Sequence, residues 1–225
     1  MKDLEFLVKC TPEELEVLAD LLREKGGPTS DLEQSSTFSS KADYAKAIAA
    51  ELLDFGSNTF WFRKDYRTVL EDVCDKLKVR HTDRQSVVQI ETNLLGEISG
   101  QLWEKASEEG RRALLESMDE NAIIMPEAAG AAFAAIFRSG GFASYQLAVI
   151  IANSLAKVVL GRGLSLAANA MLTRVLSLAS GPLGVLMGLL TVWQVFGPAY
   201  RVTVPAVTYV ASLRQIAKNR RYARG

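Results

Sequence analysis

Apolar residues recur at helical spacing along nearly the whole chain, and alternation of apolar and polar residues is scarce. The clearest stripe comprises Leu15, Leu18, Leu21 and Leu22. Residues three or four positions apart share one face of a helix, so this stripe predicts a helix. Thr11 and Glu14 fit a capping box around Pro12, a frequent first helical residue, and glycines 26–27 mark the stop. The sequence therefore predicts an all-α fold, a compact multi-helix bundle.

The rest of the first half continues this pattern. Helical spacing predicts a second helix at about residues 41–55 and a third from Tyr66 to Leu77. Thr82 and Gln85 form another possible capping box, which predicts a long helix from there to about Lys105. A shorter helix is expected from Ser107 through Met118.

Acidic residues stop at Glu127, although the chain continues for 98 more residues. Residues 1–127 hold all 26 acids and 16 of the bases, whereas residues 128–225 hold ten bases and no acid. We call residues 1–127 the acidic region and residues 128–225 the acid-free region. Such asymmetry is typical of surface binding or of pairing between segments. We expect one interleaved unit built from both regions.

The acid-free region contains the longest uncharged run of the chain, 26 residues from Val175 to Tyr200. Gly181 and Pro182 break it, which predicts a buried Gly/Ala-rich hairpin with arms at about 164–180 and 182–196. The second arm would be about 22 Å long, too short for a comfortable span of a bilayer core about 30 Å thick. The run therefore suits a dry protein core or insertion into lipid. The candidate membrane or partner contacts are Gly181, Pro182, Gly184, Gly188, Trp193 and Tyr200.

The end of the chain is basic. A helix is predicted from Pro205 onward, and it leads into cations without a neighbouring acid. These candidate contacts to an anionic surface are Arg214, Lys218, Arg220, Arg221 and Arg224. Each cation near an anionic bilayer adds about 1 kcal/mol of attraction. The alternative is a solvated terminus neutralised by the acidic region. Nucleic acid is a disfavoured partner, because only the tail is basic.

Residues able to support catalysis or to hold a metal are scarce. His81 is the single histidine, and Cys10 and Cys74 are too few for a disulfide framework or a closed zinc site. The sequence has no nucleophile elbow, phosphate-binding loop or dinucleotide fingerprint. We therefore expect no catalytic residues, no metal and no cofactor. The acidic start of the chain lacks an export signal, so a cytoplasmic protein, peripheral to the inner membrane, is expected.

Several stretches resemble the bacterial YaaW-like family. They are Asp3 to Leu7, Glu14-Leu15, Glu51-Leu52, Phe55-Gly56, Tyr66-Arg67, Asp72-Val73, Lys76 to Lys78, Gly181-Pro182 with Gly184, Ala199 to Val207 and Leu213-Arg214. The resemblance spans most of the chain and supplies no catalytic residues. That family is also similar to a ubiquinol-cytochrome c chaperone-type helical domain, which implies assembly work beside a membrane complex.

Two classes of function follow from these patterns. The first is a noncatalytic helical protein that acts at the cytoplasmic membrane face through its apolar hairpin and basic tail, with insertion into the bilayer as its extreme form. The second is a soluble chaperone, assembly factor or interaction module whose acid-free region is the core. The expected partner is accordingly an anionic membrane surface or a protein client.

Overall fold

The computed structural model describes residues 2–23, 32–56, 64–118, 128–160 and 198–220. These ranges contain eight α-helices: α1 Pro12–Leu22, α2 Lys41–Phe55, α3 Tyr66–Lys76, α4 Val87–Lys105, α5 Glu108–Met118, α6 Ala129–Ser139, α7 Gly141–Leu160 and α8 Pro198–Lys218. Two short 3-10 helices, Lys2–Lys9 and Ser35–Thr37, precede α1 and α2. The described ranges contain no strand, and the predicted all-α fold is confirmed. The predicted hairpin at 164–196 lies outside them.

Local sequence signals set the first helix. The Thr11 hydroxyl accepts a hydrogen bond from the Glu14 amide at 3.2 Å, and the Glu14 carboxylate accepts one from the Thr11 amide at 2.6 Å. This reciprocal pair satisfies two donors that an uncapped helix leaves open. The predicted capping box and the start at Pro12 are confirmed.

The predicted start of α4 was wrong by one helical turn. Its cap is Ser86, which forms a capping box with Gln89, and the helix begins at Val87. Thr82 and Gln85 form a separate turn, in which the Thr82 amide donates to the Gln85 side chain at 2.9 Å. Ser86 and Gln89 form the complete capping box, and this box leads directly into buried apolar positions. The predicted end at Lys105 is correct.

The predicted start of the last helix was also wrong. α8 begins at Pro198 and continues through Pro205, which lies inside it. An internal proline removes one backbone hydrogen bond, so helices usually avoid it. Val204 and Ala206 on either side of this proline are fully buried, and their packing holds the helix through it.

Helices α7 and α8 form the centre of the molecule. Every residue of α7 from Ala143 to Ala156 is buried, as is every residue of α8 from Val202 to Leu213. Helix α1 packs on both; α2, α3 and α4 pack on α8, and α5 and α6 pack on α7. The hydrophobic core thus draws on both the acidic and the acid-free region.

Glycine lets α4 and α6 approach closely. A Cβ atom on Gly100 would lie 2.7 Å from the Gly130 amide nitrogen, and one on Gly96 would lie 2.5 Å from the Ala134 Cβ. These contacts are too short for any larger side chain, so the two backbones lie almost against each other. At the far end of α6, Gly140 and Gly141 have φ of 71° and 84°. This region of φ strains other residues, and the two glycines here turn the chain into α7.

Candidate functional site: ion pairs between the two regions and an apolar elbow

The first ion pair between the regions joins α1 to the end of the chain that follows α8. Glu14 is fully buried, and its two carboxylate oxygens accept hydrogen bonds from Arg220 Nη2 at 3.0 and 2.9 Å. The same carboxylate completes the cap on Thr11. A buried charge requires this degree of pairing, because desolvation of an isolated carboxylate is costly.

The second ion pair joins α4 to α8. Glu91 is 1% exposed, and it accepts hydrogen bonds from Arg214 Nε at 2.6 Å and from the Tyr66 hydroxyl at 2.7 Å. Arg214 Nη2 also donates to the Asp3 carbonyl at 2.6 Å, and the guanidinium lies 4.2 Å from the centre of the Phe6 ring. One arginine of the acid-free region is therefore held by two separate elements of the acidic region, α4 and the 3-10 helix Lys2–Lys9.

Burial and charge oppose each other at this second pair. Burial raises the pKa of Glu91, and the charge of Arg214 only partly offsets that rise. Burial alone would lower the pKa of Arg214, but the Glu91 carboxylate outweighs it, so the net direction is upward. Burial, together with Glu91, also places the pKa of Tyr66 well above its usual value. Arg214 and Tyr66 are therefore donors at neutral pH, and Glu91 is their acceptor.

The predicted contact residues differ in their exposure and in their partners. The side chains of Arg214 and Arg220 are 17% and 32% exposed, and both are held by carboxylates. Lys218 is exposed, and Tyr200 is half-buried with Lys76 Nζ 5.0 Å from its ring centre. The remaining predicted contacts lie outside the described residues: Gly181, Pro182, Gly184, Gly188, Trp193, Arg221 and Arg224. In this conformation the acidic region neutralises part of the basic tail, the alternative stated from the sequence.

Sequence reasoning missed both carboxylate partners. Glu14 was assigned only to its cap, and Glu91 to no role. A signal for Glu91 did exist, since it occupies the helical stripe that contains Val87 and Leu94. A carboxylate in an apolar stripe predicts a buried partner.

An apolar elbow is the second component of the site. We define it as α6 and α7 with Gly140 and Gly141 between them. Taken alone, none of the described helices is long and apolar enough to cross a bilayer. The segments Ala129–Ser139 and Gly141–Lys157, bent by 117° at the glycines, meet that length and hydropathy only as a pair. Arg138 and Lys157 are the charged residues of this stretch.

The two cysteines are buried, and the single histidine is already paired. Cys10 and Cys74 are free and buried, and burial raises the pKa of each thiol to about 12. His81 lies in the turn before α4, with Nε2 2.9 Å from Asp75. Because the pKa of each thiol is raised, both cysteines are poor nucleophiles at neutral pH. Within the described ranges, no three His, Cys, Asp or Glu side chains are grouped to hold a metal.

A surface groove of about 680 Å³ lies between α1 and α2. Glu16 and Tyr44 line it, and the Tyr44 hydroxyl donates to the Glu16 carboxylate at 2.8 Å. Arg23 donates to both side chains, at 3.0 and 3.2 Å. Burial, with the Glu16 hydrogen bond, raises the pKa of Tyr44 to about 12. These three side chains therefore form one hydrogen-bonded cluster at the groove.

Similar proteins occur in other bacteria. A UPF0174 protein of Helicobacter pylori strain J99 is 41% identical over 229 residues, covering 95% of this chain and 90% of that protein. The UPF0174 protein YaaW of Escherichia coli strain K12 is 31% identical over 233 residues, covering 95% and 94%. Neither a protein-family model nor a solved structure matches the chain. These names mention no chaperone, and the implied assembly role remains a prediction.

Proposed function

Since the chain belongs to the bacterial UPF0174 family, that of YaaW, we propose a noncatalytic role at the cytoplasmic face of the inner membrane. In the resting form, the acidic region covers the acid-free helices. On an anionic bilayer, headgroups compete with Glu14 and Glu91 for Arg220 and Arg214. Release of these arginines lets the apolar elbow meet the lipid, with insertion as the extreme form.

The observation that carries this proposal is the apolar elbow. Its two helices jointly have the length and hydropathy of a span, yet they lie folded at 117° in a bundle closed by ion pairs. Ion pairs with a buried carboxylate contribute little to net stability, because the loss of hydration offsets their attraction. Their position across the boundary between the regions fits a contact that can exchange partners.

Vesicle flotation tests the proposal. We expect the protein to float with vesicles that contain phosphatidylglycerol and to remain at the bottom with neutral vesicles, because the attraction is electrostatic. The double variant Glu14→Gln/Glu91→Gln removes both carboxylates and should increase the floated fraction.

A matched control is Glu104→Gln/Glu109→Gln, which removes two exposed acids and changes the net charge equally. It should float like the parent. Absence of the parent and both variants from every floating fraction would remove the membrane role.

A second candidate function is a soluble interaction module or chaperone. The burial of α7 and α8 favours it. Among the described residues, Val88 is the one large apolar side chain that is exposed, with an exposed fraction of 39%. A surface without large apolar patches keeps a protein soluble without detergent or a bound partner. This candidate predicts a monodisperse species without detergent, no binding to vesicles and recovery of a protein client in a pull-down. Aggregation whenever detergent is withheld would speak against it.

A further inference from the structure

The ends of three helices meet at one end of the bundle. The start of α7 lies beside the end of α8, where the Ser144 hydroxyl donates to the Gln215 side chain at 3.4 Å. A Cβ built on Gly140 would lie 3.8 Å from the Asn219 side-chain oxygen. The turn from α6 to α7 is thus packed against the end of α8.

This packing places cations that are far apart in sequence at the same end of the bundle. Arg138 lies two residues before Gly140, and Lys218 lies one residue before Asn219. Both side chains are exposed, and both belong to a region without any Asp or Glu. Arg220 follows on the same end, with its charge taken up by Glu14. We call Arg138, Lys218 and Arg220 together the basic end.

We propose that the basic end is the surface that binds anionic phospholipid headgroups and that it sets the apolar elbow against the bilayer. This inference rests on the proposed membrane function and specifies the orientation in which it occurs. The sequence predicted Lys218 as a contact of the basic tail and gave no role to Arg138. The fold adds Arg138 to this surface. Two cations at about 1 kcal/mol each correspond to about a thirtyfold change in partition coefficient.

A helix effect is the competing explanation for these cations. Arg138 and Lys218 each lie in the last turn of a helix, where a cation stabilises the carbonyl end of the helix. Such a role changes the free energy of unfolding and leaves vesicle binding unchanged. Binding and stability therefore have to be measured on the same variants.

The test is sedimentation of the full chain with phosphatidylglycerol-containing vesicles, compared for two double charge reversals. Arg138→Glu/Lys218→Glu changes the basic end. Arg112→Glu/Lys105→Glu is the control, because it reverses one exposed arginine and one exposed lysine near the start of α5 and the end of α4. Gly100 of α4 contacts Gly130 near the start of α6, so the control pair lies towards the opposite end from Arg138.

We expect the basic-end variant to lose at least about thirtyfold in partition coefficient and the control to stay close to the parent. Equal losses in both variants would overturn the assignment of this surface and leave the membrane function in place. A parent that binds no vesicles would overturn both. Arg138→Gln/Lys218→Gln, a milder variant whose urea unfolding is measured alongside, separates lost binding from lost folding.

Discussion

At the scale of residues, the molecule depends on two buried carboxylates that accept hydrogen bonds from arginines of the other region. Glu91 has Arg214 and Tyr66 as donors, and Glu14 has Arg220. Neither pair could be read from the sequence, because its members are 123 and 206 residues apart. Composition indicated either binding to a surface or pairing between the two regions, and packing determines which charges pair.

Removal of one member of the Glu91 pair should be costly. Arg214→Leu leaves the Glu91 carboxylate buried without its cation, and the free energy of unfolding should fall by about 3 kcal/mol. Glu91→Leu/Arg214→Leu removes both charges and should lose less than the sum of the two single variants. Urea unfolding of the four proteins gives the coupling energy. A double variant that is simply additive would contradict a direct pair.

The pH dependence of stability has a definite sign at Glu91. Because its folded pKa is raised, its contribution to stability is fully present below the unfolded pKa and is lost as pH rises through the folded pKa. The groups that face it are Tyr66 and Arg214, with Asp3 nearby. As pH falls from above the folded pKa towards the unfolded pKa, the parent should gain stability relative to Glu91→Gln. Urea unfolding of both proteins at a series of pH values measures this difference. If the parent loses stability relative to Glu91→Gln as pH falls, the assignment is refuted.

At the scale of elements, helical spacing predicted most helices, and packing corrected the rest. The predicted positions of α1, α2 and α5 agree with the structure. The start of α8 could not be predicted, because a proline signals a helix start locally while burial on both sides of Pro205 carries the helix through it. The close approach of α4 and α6 was equally hidden, since it depends on which glycines face each other.

The contact between α4 and α6 should be intolerant of any side chain at Gly100. Gly100→Ala puts a methyl group 2.7 Å from a backbone nitrogen of α6, and the expected loss is about 1–3 kcal/mol. Gly110→Ala in α5 is the control, because its nearest neighbour would be 3.4 Å away. That variant should be neutral or gain up to about 1 kcal/mol from higher helix propensity. Thermal unfolding of both variants measures their stability relative to the parent. Equal stability of Gly100→Ala and Gly110→Ala would mean that α4 and α6 are farther apart than described.

At the scale of the whole molecule, the acid-free helices are the centre and the acidic helices are packed around them. Deletion of residues 1–127 should therefore leave no folded remainder, because α7 and α8 would lose the packing of α1 to α5. Circular dichroism and size-exclusion chromatography of residues 128–225 measure this. A monomeric helical fragment with cooperative unfolding would indicate two separate domains.

The most direct test of the membrane role is fractionation of the tag-free protein, expressed in bacteria, into cytosol and membranes before and after a high-salt wash. We predict that the parent pellets with membranes and is partly released by salt, because basic side chains hold it there. Glu14→Gln/Glu91→Gln should resist the wash, because its elbow is free to enter the lipid. Recovery of both proteins wholly in the cytosol would contradict the account and direct the search to a protein client.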